Sequence, residues 1–113
     1  MERLINLTTI APHIEIAQEQ QQATSEGPEY RVIIHNDDVT PMEFVLHILI
    51  SVFTLTGPHA LHVMYAAHFH GSAYVQTLPK PEAEKRIGQA HFSARLSGYP
   101  LEFSIEPESG SRP

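Results

Sequence analysis

The sequence predicts a small α+β domain in which three helices pack against a three-stranded antiparallel sheet. Segments with strand-like and helix-like apolar spacing follow one another in the order β-α-α-β-α-β between residues 30 and 105. A chain of 113 residues also has room for only one domain with one core. We expect this domain at residues 29–107, between a flexible glutamine-rich arm at 1–28 and a disordered polar tail at 108–113.

The first strand is predicted at residues 30–35, which are rich in β-branched and aromatic side chains. It ends at the polar turn Asn36-Asp37-Asp38. Thr40-Pro41-Met42-Glu43 then has the pattern of a helix start, which predicts Thr40 as the N-cap, Pro41 at the first helical position and Glu43 in a capping box. The apolar residues that follow predict a helix buried on more than one side.

Glycine and proline residues delimit the remaining elements. The first helix is expected to continue up to Thr56-Gly57-Pro58, and Gly71 is expected to end the second. Apolar spacing then predicts the second helix at residues 58–68, a strand at 72–77, the third helix at 81–96 and a last strand at 101–105.

Charge and composition exclude several classes of function. The net charge is -6 and the chain has seven Lys and Arg residues, so we expect neither nucleic acid nor an anionic membrane as a partner. The absence of cysteine excludes disulfides and thiolate sites and is compatible with a cytoplasmic protein. The N-terminus lacks the pattern of a secretory signal, and no apolar run is long enough for a membrane-spanning helix.

Histidine is abundant, but its spacing does not predict a metal site. His59 and His62 share a helical face, whereas His68 and His70 do not continue it, and no Cys, Asp or Glu supports the group. The serines show no nucleophile-elbow pattern and no glycine-framed oxyanion loop. We therefore expect no metal, no cofactor and no enzymatic activity.

Two polar features and two methionines remain open to simple structural explanations when they are considered alone. Asn36-Asp37-Asp38 is also typical of an ordinary turn, in which Asn and Asp bond their own backbone. His68 could simply favour the end of a helix, where the helix dipole stabilises a cation. Met42 and Met64 are most simply explained as core residues.

Together, however, these residues resemble the ClpS family of proteolytic adaptors. The resemblance lies in Tyr30-x-Val32-Ile33-Ile34-x-Asn36-Asp37-Asp38-x-Thr40-Pro41-Met42-Glu43-Phe44-Val45, in Ala60-x3-Met64-x3-His68-x2-Gly71-x-Ala73, and in Ala83-Glu84 and Pro100-Leu101. It implies an adaptor that binds the first residue of N-degron substrates. The substrates would be delivered to a ClpA or ClpC-type Hsp100 unfoldase for degradation by ClpP.

The resemblance also implies a site. The substrate's α-ammonium group has three donors, and acceptors would come from Asn36, from Asp37 or Asp38, and from a neutral His68 ring. Which aspartate contacts the amine is left open. Ala67 replaces a larger aliphatic residue of the family pattern, which predicts a wider pocket that favours aromatic rings among Leu, Phe, Tyr and Trp. The expected pocket residues are Thr40, Met42, Val45, Met64, Ala67 and Leu101, and the expected unfoldase contacts are Glu84 and Arg86.

Two further segments are compared with the family. The proline-rich segment Pro79-Lys80-Pro81 departs from the family pattern just before Glu84. The glutamine-rich arm resembles the family's flexible extension, which implies that the arm engages the unfoldase. The alternative is a ClpS-like domain that modulates an unfoldase or binds another partner without N-degron recognition.

Overall fold

The computed structural model describes residues 27–108. The expected flexible arm and tail lie almost entirely outside these residues. The six elements occur in the predicted order: β1 (Glu29–His35), α1 (Met42–Ser51), α2 (Gly57–His70), β2 (Ser72–Pro79), α3 (Lys80–Leu96) and β3 (Glu102–Pro107). The predicted α+β class, with three helices and a three-stranded antiparallel sheet, is therefore confirmed.

β1 is the central strand of the sheet, which has the order β2-β1-β3 with both pairs antiparallel. Val32 and Ile34 alternate along β1 and are fully buried, because the helices cover that face of the sheet. The core is completed by Phe53, whose ring lies 4.9 Å from that of Phe103 on β3, and by apolar residues of all three helices.

The start of α1 differs from the prediction. The first helical residue is Met42, and Pro41 is the N-cap with extended backbone, while no side chain caps the helix. The predictions that Thr40 is the N-cap and that Pro41 is the first helical residue were therefore wrong, as was the prediction of a capping box with Glu43. The Thr40 hydroxyl instead donates to Asp37 Oδ2 at 2.9 Å, so it is already engaged in the turn before the helix.

The boundary between α1 and α2 also differs. α1 ends at Ser51, and the amides of Val52 and Phe53 both donate to the Ile48 carbonyl, which tightens the last turn. Thr54 then adopts a positive φ of 58°, in the left-handed region. Thr56, expected to stop the first helix, caps the next one, because its hydroxyl accepts a hydrogen bond from the His59 amide.

Candidate functional site

Three segments meet at the carboxyl end of β1. β2 begins with Ser72 opposite His35, and β3 begins with Glu102 opposite the same residue. The end of α2, which leads into β2, and Leu101, which precedes β3, are therefore held beside the turn that follows β1. The antiparallel pairing on both sides of β1 is what brings these distant parts of the sequence together.

Gly71 links the end of α2 to the turn through two backbone hydrogen bonds. Its φ of 91° is in the left-handed region that glycine adopts at helix ends, and its amide donates to the Ala67 carbonyl at 2.8 Å. Its own carbonyl accepts a hydrogen bond from the Asn36 amide at 2.9 Å. His68, one turn earlier on α2, thus lies next to Asn36.

A cavity of about 210 Å³ opens at this junction. All four residues predicted to bind the amine line it, and so do all six predicted pocket residues. The lining also includes Ile34 and His35, which were not predicted. Both directly precede Asn36 on β1, so the end of the strand next to the turn was the signal that could have identified them. The complete lining is Ile34, His35, Asn36, Asp37, Asp38, Thr40, Met42, Val45, Met64, Ala67, His68 and Leu101.

Asp37 holds the turn together. Its Oδ1 accepts hydrogen bonds from the amides of Val39 at 2.8 Å and Thr40 at 2.6 Å, and its Oδ2 accepts from the Thr40 hydroxyl. Burial alone would raise the pKa of Asp37, but these three hydrogen bonds outweigh it and hold the pKa below the ordinary value of 3.8. Asp37 is therefore an anion whose acceptor sites are largely used within the turn.

Three other polar side chains at the mouth of the cavity are free to accept hydrogen bonds, whereas His35 Nε2 is already hydrogen-bonded with Ser104 Oγ at 2.7 Å. Asn36, Asp38 and His68 are exposed. Within residues 27–108, no hydrogen bond or ion pair engages the side chain of any of the three. His68 has a ring contact with Phe69, with centroids 5.1 Å apart. The mouth therefore presents an amide oxygen, a carboxylate and an imidazole nitrogen on the same rim.

The interior of the cavity is apolar. Met64, Ala67 and Leu101 are buried, and Val45 is half-buried. Met42 lies nearer the mouth and is 37% exposed. Leu101 is held in place because Arg95 Nη1 donates to its carbonyl at 3.1 Å. An apolar group that enters between α1 and α2 would contact two flexible methionine side chains, which adapt to guests of different shape.

The two residues predicted to contact an unfoldase lie elsewhere, on α3, and do not line the cavity. Glu84 is exposed. Arg86 is half-buried, and its Nε donates to Glu82 Oε2 at 2.8 Å while its Nη1 donates to Gln76 Oε1 at 3.2 Å. Glu84 is thus available to a partner, whereas Arg86 is engaged within the domain.

Residues 27–108 contain no group of three or more His, Cys, Asp or Glu side chains arranged to hold a metal ion. Across the same residues, none of the helices combines the length and the apolar character needed to cross a membrane.

Comparison with known proteins identifies the family. The family model of ClpS, the ATP-dependent Clp protease adaptor protein, matches residues 25–104. The chain is 35% identical over 94 residues to the adapter protein ClpS of Desulfatibacillum aliphaticivorans, which covers 83% of this chain and 90% of that relative. It is 42% identical over 77 residues to ClpS of Nitratidesulfovibrio vulgaris strain DSM 19637 / Miyazaki F, which covers 68% of this chain and 77% of that relative.

A solved structure is also similar. Agrobacterium tumefaciens ClpS2 bound to L-phenylalaninamide matches with a TM-score of 0.70 and 37% sequence identity, over 74% of this chain and 100% of that one. The family match spans most of the described domain and includes the turn, Met64, His68 and Gly71. The chain therefore belongs to the ClpS family of adaptor proteins of the ATP-dependent Clp protease.

Proposed function

We propose that this chain binds the free α-amino group and the first side chain of N-degron substrates and delivers them to a ClpA or ClpC-type unfoldase for degradation by ClpP. The observation that carries the proposal is a rim of three unengaged acceptors above an apolar cavity of about 210 Å³. An amino-terminal residue combines the two complementary parts, a cationic amine and a side chain on the same carbon atom.

The amine would bind at the rim. An α-amino group has a pKa of about 7.7 to 8.0, so near neutral pH it is mostly an ammonium with three donors. Asn36, Asp38 and His68 provide three acceptors of the required kind. We assign the direct carboxylate contact to Asp38, because the oxygens of Asp37 already accept three hydrogen bonds within the turn.

The first side chain would enter the cavity between Met42 and Met64. Ala67, with its single methyl group, leaves more space on the α2 side of the cavity than a longer aliphatic residue would. We therefore expect Phe and Trp to bind at least as well as Leu. The L-phenylalaninamide bound to the related ClpS2 supports this proposal, because that molecule has a free amine and an aromatic side chain.

The expected affinity is modest. Burying one large apolar side chain contributes about 1.5–3 kcal/mol, and each hydrogen bond that involves a charged group contributes about 1.5–3 kcal/mol. Association costs about 4–15 kcal/mol, so the sum leaves a moderate affinity that depends strongly on the amine. Such an affinity suits an adaptor, which must release its substrate to the next component.

Fluorescence anisotropy with labelled peptides tests amine recognition. Peptides that begin with Phe or Leu should bind when the amine is free, and N-acetylation should abolish binding because it removes the charge and the donors. His68→Ala should weaken binding, and His70→Ala should not. Both histidines are exposed in the last turn of α2, but only His68 lines the cavity, so His70→Ala is the matched control. Equal binding of acetylated and free peptides would refute the amine site.

Delivery requires a separate test on α3. We propose Glu84 as a contact with the unfoldase, since it is exposed, whereas Arg86 is held by Glu82 and Gln76. Glu84→Ala should slow the degradation of an N-degron substrate by the unfoldase and ClpP and leave peptide binding unchanged. Gln89→Ala, another exposed position on α3, is the matched control. Undiminished delivery by the Glu84 variant would remove this residue from the proposed contact.

A further inference from the structure

An exposed apolar surface adjoins the cavity along α2. Leu61, Tyr65 and Phe69 recur at intervals of four residues, so they form one continuous row, which we call the aromatic ridge. Phe69 is 73% exposed and Tyr65 is 46% exposed. The two rings are stacked, with centroids 6.2 Å apart and an interplanar angle of 18°. This arrangement leaves a flat aromatic surface in contact with water.

The aromatic ridge is continuous with the rim of the cavity. The ring of Phe69 packs edge to face against His68, with centroids 5.1 Å apart, and His68 lines the cavity. Successive Cα atoms of a peptide are about 3.8 Å apart. Once the amine is bound beside His68, the second side chain of a substrate lies within reach of Phe69.

From this continuity, and on the basis of the proposed function, we infer that the aromatic ridge binds the second side chain of the substrate. The chain would therefore prefer N-degrons in which a bulky first residue is followed by an apolar or aromatic second residue. Covering exposed aromatic surface with an apolar group lowers the free energy of the complex. Ordering the Phe69 side chain costs little entropy because it has only two side-chain torsions. A small or acidic second residue would leave the ring in water.

The test varies the second residue and the ridge together. Labelled peptides that begin with Phe-Leu and Phe-Ser but are otherwise identical are titrated into the full-length wild type and its variants. Because the ridge is open and covers only part of a guest, we expect the wild type to bind the Leu peptide about five- to tenfold more tightly. Phe69→Ala should reduce this ratio to near one, and Phe69→Leu should retain part of it.

Phe92→Ala is the matched control. Phe92 is 66% exposed, but it lies on α3 and, among the described residues, makes no ring contact with His68, so its removal should leave the ratio unchanged. L-phenylalaninamide, which has no second residue, is used as a competitor to separate two effects of Phe69. It should bind the wild type and Phe69→Ala equally well if Phe69 contacts only the second side chain.

The outcomes distinguish this inference from the proposed function. If L-phenylalaninamide binds both proteins but the wild type shows no preference for Leu, or Phe69→Ala retains the full preference, the ridge does not bind the second residue. Equal weakening of L-phenylalaninamide and both peptides would mean that Phe69 orients His68, which also overturns the inference. If sedimentation shows that Phe69→Ala only disrupts self-association, the ridge binds a second copy instead. Failure of the wild type to bind L-phenylalaninamide would refute the proposed function itself.

Discussion

The adjacent residues Asp37 and Asp38 provide the sharpest separation between folding and binding. Asp37 accepts three hydrogen bonds within the turn, whereas Asp38 is exposed and lines the mouth of the cavity. We expect Asp37→Ala to lower the free energy of unfolding by about 1–2 kcal/mol, the range for loss of a capping side chain. For a domain of this size, that corresponds to a fall of roughly 4–16 °C in the melting temperature.

Asp38→Asn should behave in the opposite way. It removes the charge that, in the proposed site, would face the substrate ammonium, and exposure to water limits the loss to about 1–2 kcal/mol, or roughly five- to thirtyfold in affinity. The melting temperature should stay within about 4 °C of the wild type, because surface substitutions usually change stability by less than about 0.5 kcal/mol. Anisotropy titration with a Phe-initiated peptide and thermal melting followed by far-UV circular dichroism measure the two effects.

The pH dependence gives a second measure of Asp37. Its folded pKa lies below the ordinary value of 3.8, so its stabilisation is complete above that value and is lost as the pH falls through the folded pKa. The difference in unfolding free energy between wild type and Asp37→Ala should therefore be constant above about pH 5 and shrink below about pH 4. If Asp37→Ala were as stable as wild type while Asp38→Ala were destabilised, the assigned roles of the two residues would be reversed.

Three further predictions concern the domain that supports the site. Burial lowers the pKa of His91; the nearby Glu102 carboxylate partly offsets this effect, and Arg95 adds to it. His91 Nε2 accepts a hydrogen bond from the Phe103 amide at 2.9 Å. Urea denaturation should therefore show stability that is lost as the pH falls below the ordinary value of 6.5, and His91→Gln should reduce this dependence. Gly71→Ala should cost about 1–2 kcal/mol by the same measurement, because its φ is 91° although a methyl group meets no atom within 4 Å. Phe53→Ala, at a fully buried position, should cost about 3–5 kcal/mol, and a loss below 1 kcal/mol would contradict the described core.

Periodicity and chain-breaking residues were sufficient to predict the order of the elements. β1 and α3 have clear patterns, and each begins one residue before the predicted start and ends at the predicted residue. The end of α1 was less predictable. Val52 and Phe53 continue the apolar pattern, yet α1 ends at Ser51, and Thr54 just beyond it has a positive φ of 58°. Apolar periodicity reports which residues are buried, and Phe53 is buried without being helical.

The cap of α1 could not be predicted from the local sequence because the Thr40 side chain bonds to the preceding turn instead of to the helix. Thr40 satisfies the sequence rule for an N-cap, but Asp37 lies three residues earlier, and its charged carboxylate is a strong acceptor for the Thr40 amide and hydroxyl. Once Asp37 accepts from the Thr40 amide and hydroxyl, Thr40 no longer caps the helix. The outcome depends on where the carboxylate points, which the order of residue types does not specify.

The residues around the cavity were predictable for a different reason. Their positions came from the resemblance to a family, and the structure places all ten around one cavity. Their roles in binding stay predictions. Ile34 and His35 were missed because strand residues are normally interpreted as core or surface positions. Their position directly before Asn36 was the available signal, and the pairing of His35 with both Ser72 and Glu102 shows in the structure where the strand ends.

The two explanations of the polar turn, ordinary turn chemistry and ligand binding, are not alternatives in this structure. Asp37 satisfies the turn, and Asp38 remains unengaged among the described residues, so each explanation applies to a different carboxylate. This division has a physical advantage for a binding site. A carboxylate that also held the turn would lose hydrogen bonds whenever it reoriented toward a ligand. Because Asp37 keeps the backbone in place, Asp38 can face an ammonium without any cost to the fold.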